Sequence, residues 1–398
     1  MRQLAIILAA ASLASGQETI GTHPNLLPGD MAVLETGEVR KDLGCAVLPA
    51  KPLLGFDLKF HSGFSVDIPM RELEGNGNLL SVLFRVSPKG RGADAVYFHQ
   101  QFKVPSIRND GGSATLEGLF DLGEGAYHVD WFVHDFAGRL CTAFWDVDAA
   151  LAYKDRQVLL ALPPGAVRRS ENEQFQPEPP VARSAEASAL ETPPLKIKVL
   201  INFAPQRPNS AALDPVDRTA LISILRNLNR NPQIGKFSVV AFNLQEQQVL
   251  YRQDSSDHID FPELGQALQR LSLGTVDLRQ LEKKHPDTEF LSALFRKETT
   301  GADLDGLIVV GPKALLDANV PDDDLKQIGD LGYPVFYMNY SVDPPVIPWK
   351  DAISRVVRFF KGREYTISGP RDLWNAVTEV VSRISKSRQA RARATTGP

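Results

Sequence analysis

The 398-residue sequence has only two cysteines and no excess of charge of either sign. Its 44 Lys and Arg residues nearly balance 48 Asp and Glu residues, so the formal net charge is -4 at pH 7. This balance disfavours binding to nucleic acid or another polyanion, because no strongly positive field would attract one. The length and the 43% hydrophobic content are ordinary for a soluble globular protein of two domains.

Motifs that carry catalytic chemistry are also missing. The sequence contains no G-x-S-x-G nucleophile elbow, no phosphate-binding glycine loop and no H-E-x-x-H zinc motif. We therefore predict a protein that is not an enzyme and that needs no cofactor and no metal. The alternative is an envelope enzyme of unknown reaction, because catalytic triads are assembled in space from separate segments.

Long hydrophobic runs are absent apart from one at the N-terminus. Arg2 precedes the apolar run Leu4–Leu13, and Ala14–Gly16 follows with small residues. This order is typical of a signal peptide, and the run is about half of the roughly 20 residues that a membrane-spanning helix needs. We predict that residues 1–16 are removed on export to a periplasmic or secreted location, and that 17–44 form an N-terminal extension.

Export would place the two cysteines, Cys45 and Cys141, in an oxidising compartment, where a disulfide bond is favoured. A bond between them would close a loop of about 100 residues, for which the chain-entropy argument gives roughly 4 to 5 kcal/mol. The alternative is two separately buried thiols, because the sequence does not place their Cα atoms within bridging distance.

Residues 45–162 contain short runs of β-branched and aromatic residues, separated by Gly, Asn, Asp and Pro. This spacing predicts an all-β sandwich of immunoglobulin-like or fibronectin-like architecture. In the run Ala126–His134, alternate residues from Tyr127 onward are predicted to face the core. His128, Asp130 and His134 share the other face and are a candidate zinc site, although an ordinary solvent-facing strand explains them as well.

Residues 163–194 are rich in Pro, Glu, Ser and Ala and contain one aromatic residue, Phe175. Such a segment cannot bury enough apolar area to offset its ordering entropy, so a disordered linker is predicted. Phe175 is a candidate docking motif within it, because disordered segments can fold on a partner.

Residues 195–386 alternate strand and helix patterns, beginning with the apolar run Leu195–Phe203. This alternation predicts an α/β doubly wound, Rossmann-like domain around a mainly parallel sheet. One helix is predicted to begin at Pro215, with Asp214 as its N-cap. Its buried stripe is predicted to be Ala220, Leu221, Ile224, Leu225 and Leu228. Residues 387–398 are basic and are predicted to be a flexible tail, with contact to an anionic surface as the alternative.

The order of these elements, the pair Gly274–Thr275 and the closing segment Thr366–Ile384 resemble the von Willebrand factor type A domain of bacterial exported proteins. This family usually binds a divalent cation at the carboxyl ends of its strands, through a motif that begins aspartate-x-serine-x-serine. Here Asn202 stands where the motif has its aspartate, and Ala204 replaces the first serine. The resemblance therefore implies a degenerate metal-ion-dependent adhesion site that holds no metal.

Four residues of that edge are the candidate binding residues: Asn202, Phe203, Gln206 and Thr275. We expect an exported, non-catalytic protein that binds another envelope or extracellular macromolecule through the domain of this type. The alternative within binding proteins is a cation-dependent adhesion module.

Overall fold

A computed structural model of the protein describes residues 18–395, except for 22–27, 75–77, 91–93, 107–110, 171–174, 179–193, 206–212, 214, 270–285, 301–302, 315, 317–319 and 341–350. The chain divides into two compact units, Met1–Glu171 and Asn172–Pro398. No helix within the described ranges is long and apolar enough to cross a membrane. The predicted signal peptide, residues 1–16, lies outside them.

The described residues of the N-terminal unit form mainly strands, with one α-helix among them near the start. The elements are β1 (Glu18–Gly21), α1 (Pro28–Thr36), β2 (Ala46–Leu54), β3 (Phe60–Pro69), β4 (Asn78–Pro88), β5 (Val96–Val104), β6 (Ser113–Leu122), β7 (Gly125–His134), β8 (Leu140–Ala149) and β9 (Val167–Arg169). They form a five-stranded sheet of order β1-β5-β4-β7-β8 and a four-stranded sheet of order β2-β3-β6-β9. All of these pairings are antiparallel.

Both sheets contribute side chains to one core. In β7, Tyr127, Val129 and Trp131 are fully buried, which confirms the face predicted from their alternation. Phe64 of β3 meets Phe84 of β4 and Trp131 of β7, at ring-centroid distances of 5.2 and 5.4 Å. These edge-to-face contacts add to the burial of large apolar side chains and hold the two sheets together.

The predicted disulfide bond between Cys45 and Cys141 is confirmed, with Cα atoms 6.3 Å apart. Cys45 directly precedes β2 of the four-stranded sheet, and Cys141 lies in β8 of the five-stranded sheet. The bond therefore links the edges of the two sheets. A disulfide of this kind fits an oxidising, extracytoplasmic compartment.

In the residues that the structure describes, the C-terminal unit has one six-stranded sheet with helices against it. Its elements are β10 (Leu195–Asn202), α2 (Pro215–Asn229), β11 (Ile234–Asn243), β12 (Gln248–Ser256), α3 (Phe261–Gln269), α4 (Pro286–Thr299), β13 (Gly306–Gly311), α5 (Asp322–Lys326), β14 (Val335–Tyr340), α6 (Ala352–Phe359), β15 (Arg363–Ile367) and α7 (Pro370–Thr395). The strand order is β12-β11-β10-β13-β14-β15. Apolar residues of α4, α5 and α6 share a core with one face of the sheet, and α2 contacts α7 outside that core.

The fold class predicted from the sequence, a sandwich followed by a doubly wound domain of the von Willebrand type, is wrong. The described chain is rich in β structure, with fifteen strands in three sheets, and its C-terminal sheet is mixed because β12 runs antiparallel to β11. Helix α3 begins at Phe261, because β12 continues to Ser256 and Asp260 accepts the capping hydrogen bond from the Glu263 amide at 2.9 Å.

Helix α2 follows its sequence signals closely. It begins at Pro215 as predicted, and the predicted buried stripe is confirmed, since none of those side chains is exposed. The proposed N-cap, Asp214, lies outside the described residues. Good agreement here is expected, because proline at the first position and a 3.6-residue apolar period are local signals.

Helix α7 extends through most of the segment that we predicted to be a flexible tail. It continues to Thr395, and two of its arginines reach Asp305. Arg388 Nη1 lies 3.3 Å from Asp305 Oδ2, and Arg391 Nη2 lies 3.2 Å from Oδ1. Arg388 and Arg391 are therefore paired with a carboxylate of the same chain.

Candidate functional site

Asn202, the first predicted binding residue, is fully buried at the end of β10. Its Oδ1 accepts hydrogen bonds from the amides of Ala204 and Leu244, both at 3.1 Å. Across the sheet, a Cβ atom on Gly311 would lie only 2.7 Å from the Asn202 Cβ. The Asn202 side chain thus connects the chain segments that follow β10 and β11. It is not exposed to a binding partner.

Phe203 is also buried, with 3% of its surface exposed, and its amide donates to the Phe242 carbonyl at 2.8 Å. Gln206 and Thr275 lie outside the described residues. The part of this edge that is described therefore offers neither Asn202 nor Phe203 to a ligand, and binding by the other two residues stays a prediction.

The candidate zinc group on β7 does not assemble. Asp130 is held by Arg85, whose Nε donates to Oδ2 at 2.9 Å, and His128 Nε2 lies 3.4 Å from Asp130 Oδ1. The ring of His134 instead packs against Phe132, with centroids 6.1 Å apart. An arginine that already neutralises the carboxylate leaves little reason for a cation there.

A different cluster forms on the four-stranded sheet, where Asp57, His61 and Asp121 meet. His61 of β3 is directly opposite Asp121 of β6, and Asp57 precedes β3 by three residues. The imidazole Nδ1 is 2.8 Å from Asp121 Oδ1, and its Nε2 is 2.9 Å from Asp57 Oδ1. Lys59 completes the group, because its Nζ donates to Asp121 Oδ2 at 3.4 Å. We call these four residues the charge cluster.

The positive and negative charges of the charge cluster balance when His61 is protonated. Burial lowers the pKa of His61, but hydrogen bonds to Asp121 and Asp57 outweigh it and raise the pKa to about 10. Burial alone would raise the pKa of the Asp57 carboxyl group. Its hydrogen bond to His61 acts in the opposite direction, and the pKa is lowered overall. An imidazolium can donate from both nitrogens at once, as this geometry requires. Two cations then balance two carboxylates.

This arrangement fits a metal ion poorly. A zinc ion needs one imidazole nitrogen and carboxylate oxygens converging at about 2.0 to 2.2 Å on one point. Here the His61 ring stands between the carboxylates, and each nitrogen faces a different one. Metal binding would require His61 to lose a proton and Lys59 to leave Asp121. The charge cluster is therefore best described as a group of ion pairs that stabilises the fold.

The charge cluster was not predicted from the sequence. Asp57, Lys59 and His61 lie close together in the sequence, but no strand alternation marks them, because Asp57 and Lys59 precede β3 in a turn where Leu58 has a φ of 61°. Asp121 lies 60 residues from His61, and only the register of β3 against β6 brings it there.

Three leucines are exposed on the outer face of the same sheet. Leu48, Leu53 and Leu119 have 61%, 71% and 53% of their surface accessible. Leu119 is opposite Gly63 of β3 and comes within 3.0 Å of where a Cβ on that glycine would lie. The three therefore surround Gly63, a position with no side chain of its own. By strand and row spacing, Leu119 lies about 12 Å from each of the other two, and Leu48 and Leu53 lie about 13 Å apart. We call Leu48, Leu53 and Leu119 the leucine face; it is the best candidate for a binding surface.

The neighbouring strand edge is built differently. β2 is the terminal strand of this sheet, and its sequence includes Pro49, Lys51 and Pro52. Prolines have no N–H to donate and a lysine repels an incoming strand, so this edge disfavours pairing with another chain. A partner of this face would be recognised by side chains and not by strand addition.

Comparisons with known proteins do not assign the chain to a family. No protein-family model matches it, and no curated protein matches it. Among solved structures, a point mutant of the PilB minor pilin from Streptococcus sanguinis is 8% identical, with 93% of this chain and 99% of that chain covered and a TM-score of 0.30.

Two further solved structures are similar at a lower level. A cycloisomaltooligosaccharide glucanotransferase from Paenibacillus sp. is 10% identical, covering 76% of this chain and 45% of that chain, with a TM-score of 0.20. Beta-glucuronidase 2 from Bacteroides uniformis is 8% identical, covering 86% and 31%, with a TM-score of 0.19. Likenesses at this level define neither the fold nor the activity of this chain.

Proposed function

We propose that the protein is an exported, non-catalytic binding protein that recognises another extracytoplasmic protein through the leucine face. The observation that carries this proposal is the exposure of three leucines on one side of a sheet whose other side is a packed core. Burying one such side chain is worth about 1.5 to 3 kcal/mol, so three supply a useful share of an interface before association costs are subtracted.

A protein partner suits this surface better than a polyanion. The leucine face is apolar and uncharged, and the chain as a whole carries a formal charge of -4. Apolar anchors surrounded by polar groups are typical of protein interfaces. The charge cluster lies beside Leu53, which is opposite His61, and would form part of the polar rim.

Export is supported by the signal-peptide pattern and by the disulfide between Cys45 and Cys141. The experiment is an intact-mass measurement of the protein recovered outside the cytoplasm. We expect a chain that begins at Gln17 and that is lighter by two hydrogens than the fully reduced form. A chain that retains Met1, or free thiols, would count against export.

Binding is tested by photocrosslinking from the extracytoplasmic fraction of the source organism. Benzoylphenylalanine replaces Leu53 in one variant and Phe136 in the other, because Phe136 is 87% exposed but lies beyond β7 of the other sheet. We expect one defined protein to crosslink from position 53 and not from position 136. Equal crosslinking from both positions would contradict recognition by the leucine face.

A further inference from the structure

A short stretch of the predicted linker is seated on the C-terminal unit. Residues 175–178, Phe-Gln-Pro-Glu, belong to that unit, and the side chain of Glu178 is only 2% exposed. Arg230 donates two hydrogen bonds to this carboxylate, from Nε to Oε2 and from Nη2 to Oε1, each of 2.9 Å. Arg226 Nη1 donates to the same Oε1. Such forked arginine contacts give a carboxylate geometric specificity as well as charge.

Arg226 also forms a hydrogen bond with the backbone of residues 175–178. Its Nη2 donates to the Gln176 carbonyl at 3.0 Å, and its guanidinium lies over the Phe261 ring, 4.6 Å from the ring centroid. With 6% of its side chain exposed, Arg226 is held in place by α2 and by this cation–π contact. It is therefore oriented towards the segment by the folded unit.

The ring of Phe175 has a seat on α3. A Cβ atom on Gly265 would lie 2.5 Å from the Phe175 Cγ, so a side chain there would collide with the ring. Glycine is unfavourable inside a helix relative to alanine, yet Gly265 lies in the middle of α3. The close approach of Phe175 explains why a glycine is useful at this position.

We propose that Arg226, Arg230 and Gly265 form a binding site for peptides of the pattern Phe-x-x-Glu, and that residues 175–178 are its resident ligand. Four consecutive residues provide an aromatic ring, a backbone carbonyl and a carboxylate, and the folded unit has a matching group for each. This site lies on a different unit from the leucine face and is independent of the proposed function. Tethering gives the chain's own segment an effective concentration of about millimolar, so a competing peptide binds poorly while that segment is seated.

The test uses the full-length chain and a fluorescent peptide of residues 172–181. The double variant Phe175→Ala/Glu178→Ala vacates the site. The single variant Phe175→Ala removes the ring but leaves Glu178 on the two arginines, so it only weakens the hold of the resident segment. We expect saturable binding by fluorescence anisotropy to the double variant, at least tenfold weaker binding to the wild-type chain, and an intermediate affinity for the single variant. A peptide with Gln in place of Glu178 should bind the vacated chain at least tenfold more weakly.

Gly265→Ala supplies a control on the site, because alanine favours the helix and so spares folding while it occupies the seat of the ring. Introduced into the vacated chain, it should weaken peptide binding at least tenfold, and Arg230→Ala should do the same. The proposal is overturned if vacated chains with wild-type circular dichroism do not bind the peptide. It is equally overturned if the Gln-containing peptide binds as well as the original one.

Discussion

His61 makes the stability of the N-terminal unit depend on pH. Its pKa in the folded protein is raised from 6.5 to about 10, so the protein gains stability from protonated His61 below pH 6.5 and loses that gain as the pH rises through about 10. The full interval corresponds to roughly 5 kcal/mol. Because 35% of the side chain is exposed and solvent screens its contacts, we expect about 1 to 2 kcal/mol.

The assay compares the wild-type chain with His61→Gln. Urea unfolding of the N-terminal unit is measured at pH 6 and pH 10 for each protein, and the free-energy differences are subtracted. Groups that titrate elsewhere contribute equally to both proteins and cancel. We expect His61→Gln to cost about 1 to 2 kcal/mol more at pH 6 than at pH 10, because only the protonated imidazole holds both Asp57 and Asp121.

An independent measurement is the NMR titration of the His61 ring. A ring that stays protonated up to about pH 9 to 10 agrees with the reasoning. A midpoint near pH 6.5, or an equal cost of His61→Gln at both pH values, would show that the two carboxylates do not hold the imidazolium. The charge cluster would then be open to a metal ion.

Two further predictions concern one unit each. Reducing the bond between Cys45 and Cys141, which are 96 residues apart, should lower the free energy of unfolding of the N-terminal unit by about 4 to 5 kcal/mol, measured in urea. The reductant should not change the stability of the variant in which both cysteines are Ala. A loss under about 1 kcal/mol would argue against the chain-entropy explanation. Asn202→Ala should destabilise the C-terminal unit by about 2 to 4 kcal/mol, because the amides of Ala204 and Leu244 lose their acceptor; an unchanged unfolding midpoint would mean that water replaces it.

Local patterns in the sequence were read correctly. Alternation along β7 gave its buried face, Pro215 marked the start of α2, and two cysteines in an otherwise cysteine-free chain gave the disulfide. The first two features depend on a few neighbouring residues. The disulfide was predictable because each cysteine has only one other cysteine with which it can pair. Physical chemistry at short range determines them.

Features that depend on long-range register were not predictable. Asp121 reaches His61 only through the pairing of β6 with β3, and Asp305 orders the end of α7 through two arginines more than 80 residues away. Asn202 was expected at a binding edge because of its place in a motif, yet its side chain satisfies two buried amides instead. The fold class was wrong because the described chain forms fifteen strands in three sheets, one of them mixed, and the pairing of strands depends on contacts distant in sequence.

The most direct test of the account is the affinity of the crosslinked partner, once purified, for variants of the leucine face. Calorimetry would compare the wild-type chain with Leu53→Ser/Leu119→Ser and with the control Phe136→Ser. We predict that the double variant binds at least tenfold more weakly, since about 1.4 kcal/mol of lost apolar burial suffices, and that the control stays within twofold. Equal affinities for all three chains would contradict the central claim that this protein binds through the leucine face.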